Sequence, residues 1–552
     1  MVIGEITGPG SHVGELTDQL RAAGYDPILT PVAESADRTF VTGAAMAPHL
    51  VKSGDLFVAV TGARAHGADF IDDVVARGAA AVLTDAAGVA KVREALGYRL
   101  PVIEVSHVRA AAGPAAAVIY GTTAHSDPAL FGVTGTNGKT TTTYFLRSLL
   151  ATLLTPRGRS TGLIGTIEIA AGAERIASEM TTPEAVQLHG LMHQFRTKNV
   201  AAAAMEVSSH SISYQRISGL YYDVAGFTNL TQDHLDLHGT MEDYFAAKAE
   251  LFRRSRTRTS VITVDDAWGH RMAAEATGHV VTLATAAQAA APMGVKAHWQ
   301  VADVTAQGLG SAFTLVNQRT GEQIRTSTAL PGEFNVSNAA LAAVMVLEAA
   351  SSTDRPQEFT RQEVVEALHS AAPFHIQVPG RMQVIAERPA AIVDFAHNPD
   401  AMIRTLQAVR RPMAEQGRGK LILVIGAAGE RDVSKRPTMG GIAVRMADHV
   451  IISDDDPHGE DPAEIRAGLL AGARDAIATG ELTTRLEEIS PRAEAIRAAV
   501  AAAGEQDTVL LAGRGHEDHQ DVAGSRVDID DRVELARALR ARGFTTISED
   551  TA

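Results

Sequence analysis

The sequence predicts an α/β protein of three domains in which helices cover mostly parallel sheets. Short apolar runs of strand length recur along the chain and are separated by helical patterns, which is typical of parallel sheets. The 552 residues are enough for three or four domains. Residues 297–328 differ, because period-two segments alternate there with glycine-containing turns. That pattern favours antiparallel hairpins appended to the sheet.

The predicted strands and helices follow one another in a regular order. Strands are predicted at residues 80–84, 131–134, 202–207, 224–229, 261–264, 421–425, 449–453 and 508–511. Helices are predicted at residues 141–150, 361–370, 400–414, 462–478, 491–502 and 531–542. Most strands are followed by Gly, Asp, Ser or Asn, the residue types that end a strand or cap a helix. We therefore expect parallel strands joined by covering helices.

Two seams divide the chain into domains of ordinary size. The first is a polar stretch near residues 120–128, and the second lies near residues 375–380, beside two prolines. They predict domains at residues 1–120, 121–376 and 377–552. We expect the first to be a smaller α/β domain and the last to be Rossmann-like.

The composition excludes several classes of protein. Apolar residues make up 45% and charged residues 21% of the chain, which is typical of a globular protein. Acidic residues outnumber basic ones by 65 to 50, so the surface would repel nucleic acid. The absence of cysteine rules out disulfides and thiolate metal sites. We see neither a signal peptide nor an apolar run that could insert in a membrane, and we expect a cytoplasmic protein.

The strongest motif is Gly132-Val-Thr-Gly-Thr-Asn-Gly-Lys-Thr140, between a predicted strand and a predicted helix. In that context backbone N–H groups and the helix N-terminus would face a phosphate chain. Lys139 would reach the β- and γ-phosphates, and the Thr140 hydroxyl would bind Mg²⁺. Val133 stands where the general phosphate-loop pattern has its first glycine. The motif predicts a central domain of the P-loop type that binds a nucleoside triphosphate.

Polar residues also follow the next two strands of the central domain. Glu206 ends an apolar strand, where a carboxylate could hold Mg²⁺. Alternatively, Glu206 could cap a helix or form a salt bridge. Considered without the other motifs, Glu206 favours this structural interpretation. His234-Leu-Asp-Leu-His follows the next strand and could form a metal or phosphate site.

Three other motifs have a structural and a functional interpretation. Tyr244 and Lys248 share one face of a helix with apolar neighbours, and their spacing alone favours a lysine that reaches solvent. Asn335 stands at a helix start, where capping is favoured over contact with a base. In the last domain, charged residues stand at strand and turn ends, where open α/β sheets bind ligands.

Taken together and in this order, these motifs resemble those of the Mur ligase family across nearly the whole chain. Glu206-Val-Ser-Ser-His, Asp233-His-Leu-Asp-Leu-His-Gly and Gly513-Arg-Gly-His-Glu517 are most similar to the type that adds the third residue of the peptide. The resemblance implies an acid–amino-acid ligase of peptidoglycan precursor synthesis that uses ATP and two Mg²⁺ ions. Its partners would be UDP-N-acetylmuramoyl-L-alanyl-D-glutamate and a free diamino acid, and we expect a monomer.

The resemblance also implies roles for individual residues. ATP would be held by Gly135, Thr136, Asn137, Gly138, Lys139, Thr140, Thr141, Asn335, Arg381 and Asp394. The UDP-muramoyl dipeptide would be held by Thr181, Thr182, Ser208 and Arg216, with Ala63, Arg64 and Ala65 as candidates near the uridine. The amino acid would be held by Arg431, Asp455, Asp456, His458, Gly513 and Glu517. Mg²⁺ would be bound by Thr140 and Glu206 at one site and by His234 and a carbamylated Lys248 at the other, and the catalytic residues would be Lys139, Glu206, His234 and Lys248.

The implied reaction passes through an acyl-phosphate. The D-glutamyl carboxylate would attack the γ-phosphate, and the α-amine of the amino acid would then displace phosphate. Closure of the domains would assemble the site and exclude water.

The acidic loop departs from the family pattern. In the members that add diaminopimelate it reads Asp-Asn-Pro-Arg, and the arginine pairs with the extra carboxylate of the substrate, whereas this chain has Asp455-Asp-Pro-His458. Histidine is not a permanently charged, bidentate partner, and Asp456 would repel a carboxylate. We therefore expect L-lysine or L-ornithine to be added, with meso-diaminopimelate as the alternative.

Two further departures and three rival functions remain. Ala47-Pro48-His49 stands where the family usually has Asp-Ser-Arg, and Arg514 replaces a lysine.

A folylpolyglutamate or poly-γ-glutamate ligase should lack both the N-terminal Gly54-Asp-Leu-Phe57 and the acidic loop. The other rivals are an ATP-driven switch and an inactive scaffold.

Overall fold

The structure is a computed structural model that describes residues 6–30, 37–62, 64–97, 99–122, 128–285, 297–416 and 419–547. Three large sheets of five, eleven and six strands follow one another along the chain. Within the described ranges, no helix is both long enough and apolar enough to cross a membrane.

The N-terminal sheet has five strands in the order β2-β7-β6-β5-β4, of which β4 to β7 are parallel. The strands of this unit are β1 (Ser11–His12), β2 (Ile28–Thr30), β3 (Phe40–Val41), β4 (Gly43–Ala45), β5 (Asp55–Val58), β6 (Ala81–Thr84) and β7 (Val102–Glu104). Its helices are α1 (Val13–Ala22), α2 (Ile71–Ala76), α3 (Ala86–Leu96) and α4 (Val108–Tyr120).

The central sheet has eleven strands in the order β11-β10-β9-β12-β8-β13-β14-β15-β16-β17-β18. The strands are β8 (Ala129–Thr134), β9 (Ser160–Ile164), β10 (Glu168–Ala171), β11 (Glu174–Ala177), β12 (Val200–Glu206), β13 (Tyr222–Phe227), β14 (Thr257–Thr263), β15 (His279–Ala284), β16 (Trp299–Gln307), β17 (Gly310–Asn317) and β18 (Gln323–Thr328). The helices are α5 (Lys139–Leu154), α6 (Ala185–Thr197), α7 (Ser209–Ser213), α8 (Leu235–His238), α9 (Met241–Ala249), α10 (Ala267–Glu275), α11 (Glu333–Ala350) and α12 (Arg361–Ser370).

The core of the central unit fixes the direction in which its functional loops point. The run from β9 to β16 is parallel, and antiparallel hairpins extend it at both ends. The α5 and α11 helices bury apolar residues on one face of this sheet, and α6 and α9 do so on the other. The carboxyl ends of β8, β12 and β13 therefore meet at one edge, where ligands bind in such sheets.

The C-terminal sheet has the order β19-β20-β24-β21-β22-β23, and it is parallel except for the edge strand β19. The strands of this unit are β19 (Gln383–Glu387), β20 (Ala390–Asp394), β21 (Leu421–Ile425), β22 (His449–Ile452), β23 (Arg485–Glu488) and β24 (Thr508–Ala512), and a separate hairpin consists of β25 (His519–Val522) and β26 (Ser525–Asp528). The helices are α13 (Pro399–Gln416), α14 (Lys435–Met446), α15 (Pro462–Gly480), α16 (Arg492–Ala502) and α17 (Asp531–Ala541).

The predicted α/β class and the antiparallel hairpins at residues 297–328 are confirmed. Four predicted strands in the central sheet begin two to four residues earlier than expected. In β13 the extra residues include the buried Asp223, whose Oδ2 accepts bonds from Leu130 N at 2.9 Å and from Arg355 Nη1 at 3.0 Å. A strand predicted from a run of apolar residues ends before a charged residue such as Asp223. The hydrogen bonds that Asp223 accepts nevertheless compensate for its burial.

Candidate active site

A cleft of about 740 Å³ opens between the carboxyl edge of the central sheet and the C-terminal unit. It brings together predicted residues from all the expected ATP, dipeptide, metal and amino-acid sets. The predicted residues that line it are Thr136, Asn137, Gly138, Lys139, Thr140, Thr141, Thr181, Thr182, Glu206, Ser208, Arg216, His234, Asn335, Arg381, Asp394, Arg431, Asp455, Asp456, His458, Gly513 and Glu517.

The remaining predicted residues do not line this cleft. Gly135 belongs to the phosphate loop itself, and Lys248 packs against it, with Nζ 3.0 Å from the Gly135 carbonyl oxygen. Arg64 and Ala65 are exposed in a turn of the N-terminal unit. Ala63 lies outside the described residues.

The phosphate loop depends on glycine at two positions. Gly135 has φ +148° and Gly138 has φ +89°; added Cβ atoms would lie 1.9 Å from Thr228 Oγ1 and 2.4 Å from Asn338 Oδ1, respectively. The loop is also held from outside, because Asn229 O accepts from Thr136 N at 2.9 Å. This rigid path leads the chain into α5 with the helix N-terminus facing the cleft, which suits a phosphate.

Lys139 folds back over its own loop. Its Nζ donates to Gly135 O at 3.0 Å and to Thr136 O at 2.9 Å. Burial lowers the pKa of Lys139, and the carboxylates of Glu206 and Asp233 oppose that shift. A bound phosphate would offer the Lys139 ammonium group a charged partner in place of two neutral carbonyl oxygens. We therefore expect Lys139 to turn towards the phosphate when a nucleotide binds.

Glu206 is buried at the end of β12 and is bound by hydroxyl and amide donors. Its Oε2 accepts from Thr140 Oγ1 at 3.0 Å and from Thr166 Oγ1 at 3.1 Å, and its Oε1 accepts from Thr166 N at 2.8 Å. These bonds make it neither a helix cap nor a salt-bridge partner, so the alternative that the residue by itself favoured is wrong. A carboxylate beside a threonine hydroxyl is an oxygen donor pair of the kind that Mg²⁺ uses.

The donor set is incomplete without a ligand. Within the part of the chain that the structure describes, no three His, Cys, Asp or Glu side chains form a ready metal site. Mg²⁺ is commonly held by one or two carboxylates together with substrate phosphates and water. Thr140 and Glu206 fit that arrangement.

Lys248 is almost completely buried, with 1% of its surface exposed, so the expectation that it reaches solvent is wrong. Phe245, Leu251 and Phe252 are buried around the same segment. Nζ lies 3.5 Å from Thr134 Oγ1 and 4.6 Å from the centre of the Tyr244 ring. Burial and repulsion from Lys139 lower the pKa of Lys248 well below its usual value. A lowered pKa favours the unprotonated amine, which is the form that reacts with carbon dioxide.

His234 is the N-cap residue of α8, has φ +53°, and lies among aromatic rings in the lining of the cleft. The centre of its ring is 4.9 Å from that of His210 and 6.1 Å from that of Tyr244. Removal from bulk water lowers the pKa of His234 to about 4, against the pull of Asp233. The imidazole is therefore neutral at pH 7, the form that binds a metal.

Two residues expected near the nucleotide are already bonded within the protein. Asn335 Nδ2 donates to Pro331 O at 2.7 Å, and the N-cap of α11 is Gly332, so the prediction that Asn335 caps this helix is wrong. Asp394 accepts from Met382 N at 2.7 Å and from Thr405 Oγ1 at 3.0 Å. Both residues thereby shape the wall of the cleft.

The residues expected at the dipeptide gather where β12 meets α6 and α7. Thr182 Oγ1 donates to the Glu206 carbonyl at 2.9 Å, and Ser208 caps α7 through Ser211 N at 3.1 Å. Arg216 Nη1 donates to Thr182 O at 3.2 Å, and its Nε lies 3.1 Å from Glu184. This cluster links Arg216 through Thr182 to the backbone of Glu206.

The C-terminal side of the cleft is a pocket with several carboxylates. Arg514 is fully buried, and its Nη1 lies 3.8 Å from Asp455 and 3.7 Å from Glu517. Burial, and then repulsion from Asp455, raise the pKa of Glu517 to about 8. Burial also raises the pKa of Asp455. Arg514 is thus shared between two carboxyl groups, while Arg431 and Lys435 also line the cleft.

Several residues that shape the site were not predicted from the sequence. Arg492 and the hairpin of β25 and β26 hold the carboxylate pocket, and Asp400 reaches the phosphate loop. The glycine turn of the hairpin, between short polar and apolar segments, is a signal that could have identified it. Arg492 and Asp400 stand in ordinary helical patterns that carry no such signal.

Comparisons with known proteins agree with this geometry. Models of the Mur ligase family catalytic domain, the Mur ligase middle domain and the Mur ligase glutamate ligase domain match residues 40–120, 133–346 and 380–515. A UDP-N-acetylmuramyl-tripeptide synthetase of Leifsonia xyli subsp. xyli is 43% identical over 92% of this chain and 93% of its own length.

A second relative and a solved structure carry a more specific name. The UDP-N-acetylmuramoyl-L-alanyl-D-glutamate–2,6-diaminopimelate ligase of Streptomyces coelicolor is 41% identical over 93% of this chain and 96% of its own length. A structure of a ligase with that same name aligns with a TM-score of 0.63 and 28% identity, over 97% of this chain and 100% of the other. The chain therefore belongs to the Mur ligase family of ATP-dependent ligases of peptidoglycan synthesis.

Proposed function

We propose that this ligase joins L-lysine or L-ornithine to UDP-N-acetylmuramoyl-L-alanyl-D-glutamate. The observation that carries the choice of amino acid is the charge of the C-terminal pocket. Asp455, Asp456 and Glu517 line it, whereas the buried Arg514 already lies near two of these carboxylates. An ammonium group on the substrate side chain would be favoured beside these three carboxyl groups, which would disfavour a second carboxylate.

The first chemical step is a phosphoryl transfer. The D-glutamyl carboxylate attacks the γ-phosphorus of ATP, the bond to the β–γ bridging oxygen breaks, and ADP leaves. The phosphate-loop amides and Lys139 bind the charge that spreads over the phosphoryl oxygens. Arg381, whose Nη2 is 3.4 Å from Thr140 Oγ1, adds a cation from the C-terminal unit.

The second step forms the amide bond. The neutral α-amine of the amino acid attacks the acyl carbon, phosphate leaves, and the nitrogen loses a proton. The C-terminal pocket contributes by holding the amine near the acyl carbon, which converts a bimolecular reaction into an oriented one. Exclusion of water from the cleft protects the acyl-phosphate from hydrolysis.

We propose that Thr140 and Glu206 hold one Mg²⁺, and that His234 and a carbamylated Lys248 hold a second. Bound Mg²⁺ would neutralise phosphate charge and orient the phosphoryl group. The burial and lowered pKa of Lys248 and the neutral imidazole of His234 support this assignment. A carbamate would also replace a buried amine with oxygen ligands suited to Mg²⁺.

Other assignments from the sequence stay predictions. These are the domain limits at residues 120 and 376, the monomeric state, the cytoplasmic location, and the dipeptide-binding role of Thr181, Thr182, Ser208 and Arg216. The uridine-binding role of Arg64 and Ala65 also stays a prediction. Its support is that both residues are exposed in a turn of the N-terminal unit.

The names of the diaminopimelate-adding relatives favour meso-diaminopimelate as a second candidate. The test is an assay with ATP, the UDP-muramoyl dipeptide and a panel of amino acids, with the product identified by mass. We expect rapid turnover with lysine or ornithine and at least tenfold lower kcat/KM with meso-diaminopimelate. The double variant Asp456→Asn/His458→Arg should reverse the preference, because it adds a permanent cation and removes a carboxylate. Faster turnover of meso-diaminopimelate by the unaltered enzyme would overturn the proposal.

A further inference from the structure

The hairpin of β25 and β26 is bonded to the acidic loop at residues 455–458. The backbone N–H of His458 donates to Asp521 O at 2.8 Å, and Ala523 N donates to His458 O at 2.7 Å. The backbone N–H of Asp521 also donates to Oδ1 of Asp456 at 2.7 Å. The hairpin therefore fixes both the path of the loop and the orientation of one of its carboxylates.

This arrangement places a carboxylate near each nitrogen of the His458 ring. Oδ2 of Asp456 lies 3.7 Å from Nε2, and Oδ2 of Asp521 lies 3.5 Å from Nδ1. An imidazole has one N–H when neutral and two when charged. Because both ring nitrogens face carboxylates of the protein, His458 is poorly placed to bind a carboxylate of the substrate.

The buried Arg514 is engaged in a similar way. Arg514 Nη2 donates to His519 O, at the start of the hairpin, at 2.6 Å. Among the described residues its buried Nη1 has no hydrogen-bond partner, and it lies between Asp455 and Glu517. Arg514 is thus shared between Asp455 and Glu517, and His458 is shared between Asp456 and Asp521.

We propose that Asp521 is a specificity-determining residue for the incoming amino acid. Together with Asp456 it engages His458, so that this end of the pocket accepts an ammonium group and rejects a second carboxylate. The inference rests on the proposed function, because it concerns which amino acid the ligase adds. Asp521 acts through His458 and is a positioning residue.

The two oxygens of Asp521 have separate tasks, which makes a clean substitution possible. Oδ1 accepts from Gly524 N at 2.8 Å and so holds the hairpin turn, whereas Oδ2 faces His458. Asp521→Asn keeps an oxygen for the turn and removes the negative charge. Asp528→Asn is the matched control, because Asp528 lies on the same hairpin with 82% of its side chain exposed and pairs with Arg526.

The experiment measures kcat/KM for lysine, ornithine and meso-diaminopimelate with the full-length enzyme and both variants. We expect Asp521→Asn to shift the ratio towards meso-diaminopimelate by about tenfold. The melting temperature and the KM for ATP should stay unchanged. Asp528→Asn should leave the ratio as it is.

Two outcomes would overturn the inference. One is an equal loss of kcat/KM for every amino acid, which would mean that the side chain only maintains the shape of the hairpin. The other is an unchanged ratio. A wild-type preference for meso-diaminopimelate would contradict the proposed function instead, and the shift between wild type and Asp521→Asn would still decide the role of Asp521.

Discussion

Glu517 would give the proposed amino-acid pocket a charge that depends on its ligand. With a pKa of about 8, its carboxyl group holds a proton at pH 7 when the pocket contains no amino acid. An ammonium group beside it favours the ionised form. We therefore expect lysine binding at pH 7 to release up to about one proton, measured by calorimetry in buffers of different ionisation enthalpy. Glu517→Gln should release none, and equal release by the two proteins would contradict the prediction.

The same group makes stability depend on pH. Its pKa is raised from 4.5 to about 8 on folding, so between these values the folded state binds more protons than the unfolded state. The free energy of unfolding contributed by Glu517 is therefore lost as the pH rises through about 8. Denaturant unfolding between pH 5 and pH 9 should show this slope, and Glu517→Gln should flatten it. A slope that is equally steep in the variant would assign the effect to another group.

Lys248 allows a direct test of its modification. Lys248→Ala should lose about a hundredfold or more of the ligase activity, because the second Mg²⁺ site would lack a ligand. The cavity left by the side chain should admit formate or acetate, and a carboxylate there should restore part of the activity. Lys248→Met fills the cavity and should not be rescued. The carbamate would be excluded if the alanine variant is not rescued and the electron density of the wild-type enzyme shows an unmodified Lys248 amine.

Residue spacing predicted which side chains would come together but not their surroundings. The four-residue interval placed Tyr244 and Lys248 on one face of α9, and the structure keeps them there. Whether a lysine on that face reaches solvent depends on what packs over it. Here the Thr134–Gly135 segment covers it, and that contact joins parts of the chain more than a hundred residues apart.

At the scale of elements, the ion pair between α16 and α17 supports the proposed amino-acid pocket. Arg492 and Asp531 are fully buried, and Nη2 lies 2.6 Å from Oδ2. Arg492 also donates to Asp454 O at 3.0 Å and to Ala512 O at 3.1 Å, the residues that lead into both pocket loops. Removal of one partner of a buried pair costs about 3–5 kcal/mol.

We therefore expect Arg492→Met to destabilise the C-terminal sheet by about that amount and to raise the KM for the amino acid. Hydrogen exchange of the β24 amides should accelerate by about two orders of magnitude or more, since 1.4 kcal/mol corresponds to tenfold. The double variant Arg492→Met/Asp531→Leu should recover part of the lost stability, because it leaves no unpaired charge buried at this site. Wild-type protection of β24 in Arg492→Met would contradict this role.

Apolar strands and capped helices were the elements that the sequence predicted best. The strand at residues 421–425 and the helix at residues 361–370 have the predicted limits, because their ends coincide with changes in polarity or with a capping box. The hairpin at residues 519–528 was not predicted, since polar side chains hide its alternation. Its position is set by backbone bonds to the acidic loop, which no local pattern records.

At the scale of the whole molecule, the sequence predicted the units and their shared cleft but not the contacts between them. Asn137 Nδ2 donates to Asp400 Oδ2 at 3.0 Å across a separation of 263 residues. Asn398 Nδ2 lies 3.4 Å from Asp233 Oδ2. These few polar contacts tie the C-terminal unit to the phosphate loop, as in interfaces that open and close.

Asp400 does not itself line the cleft but is bonded to Asn137 and Arg404, which do, and Asp400→Ala should loosen this closure. We expect a larger radius of gyration by X-ray scattering and, with all substrates present, more ADP than peptide product. The excess arises because water reaches the acyl-phosphate before the amine does. Asp475→Ala, on an exposed position of α15, is the control and should keep the ratio of ADP to product at about one. A ratio of one in Asp400→Ala as well would mean that this contact does not protect the intermediate, and that closure depends on the bound substrates alone.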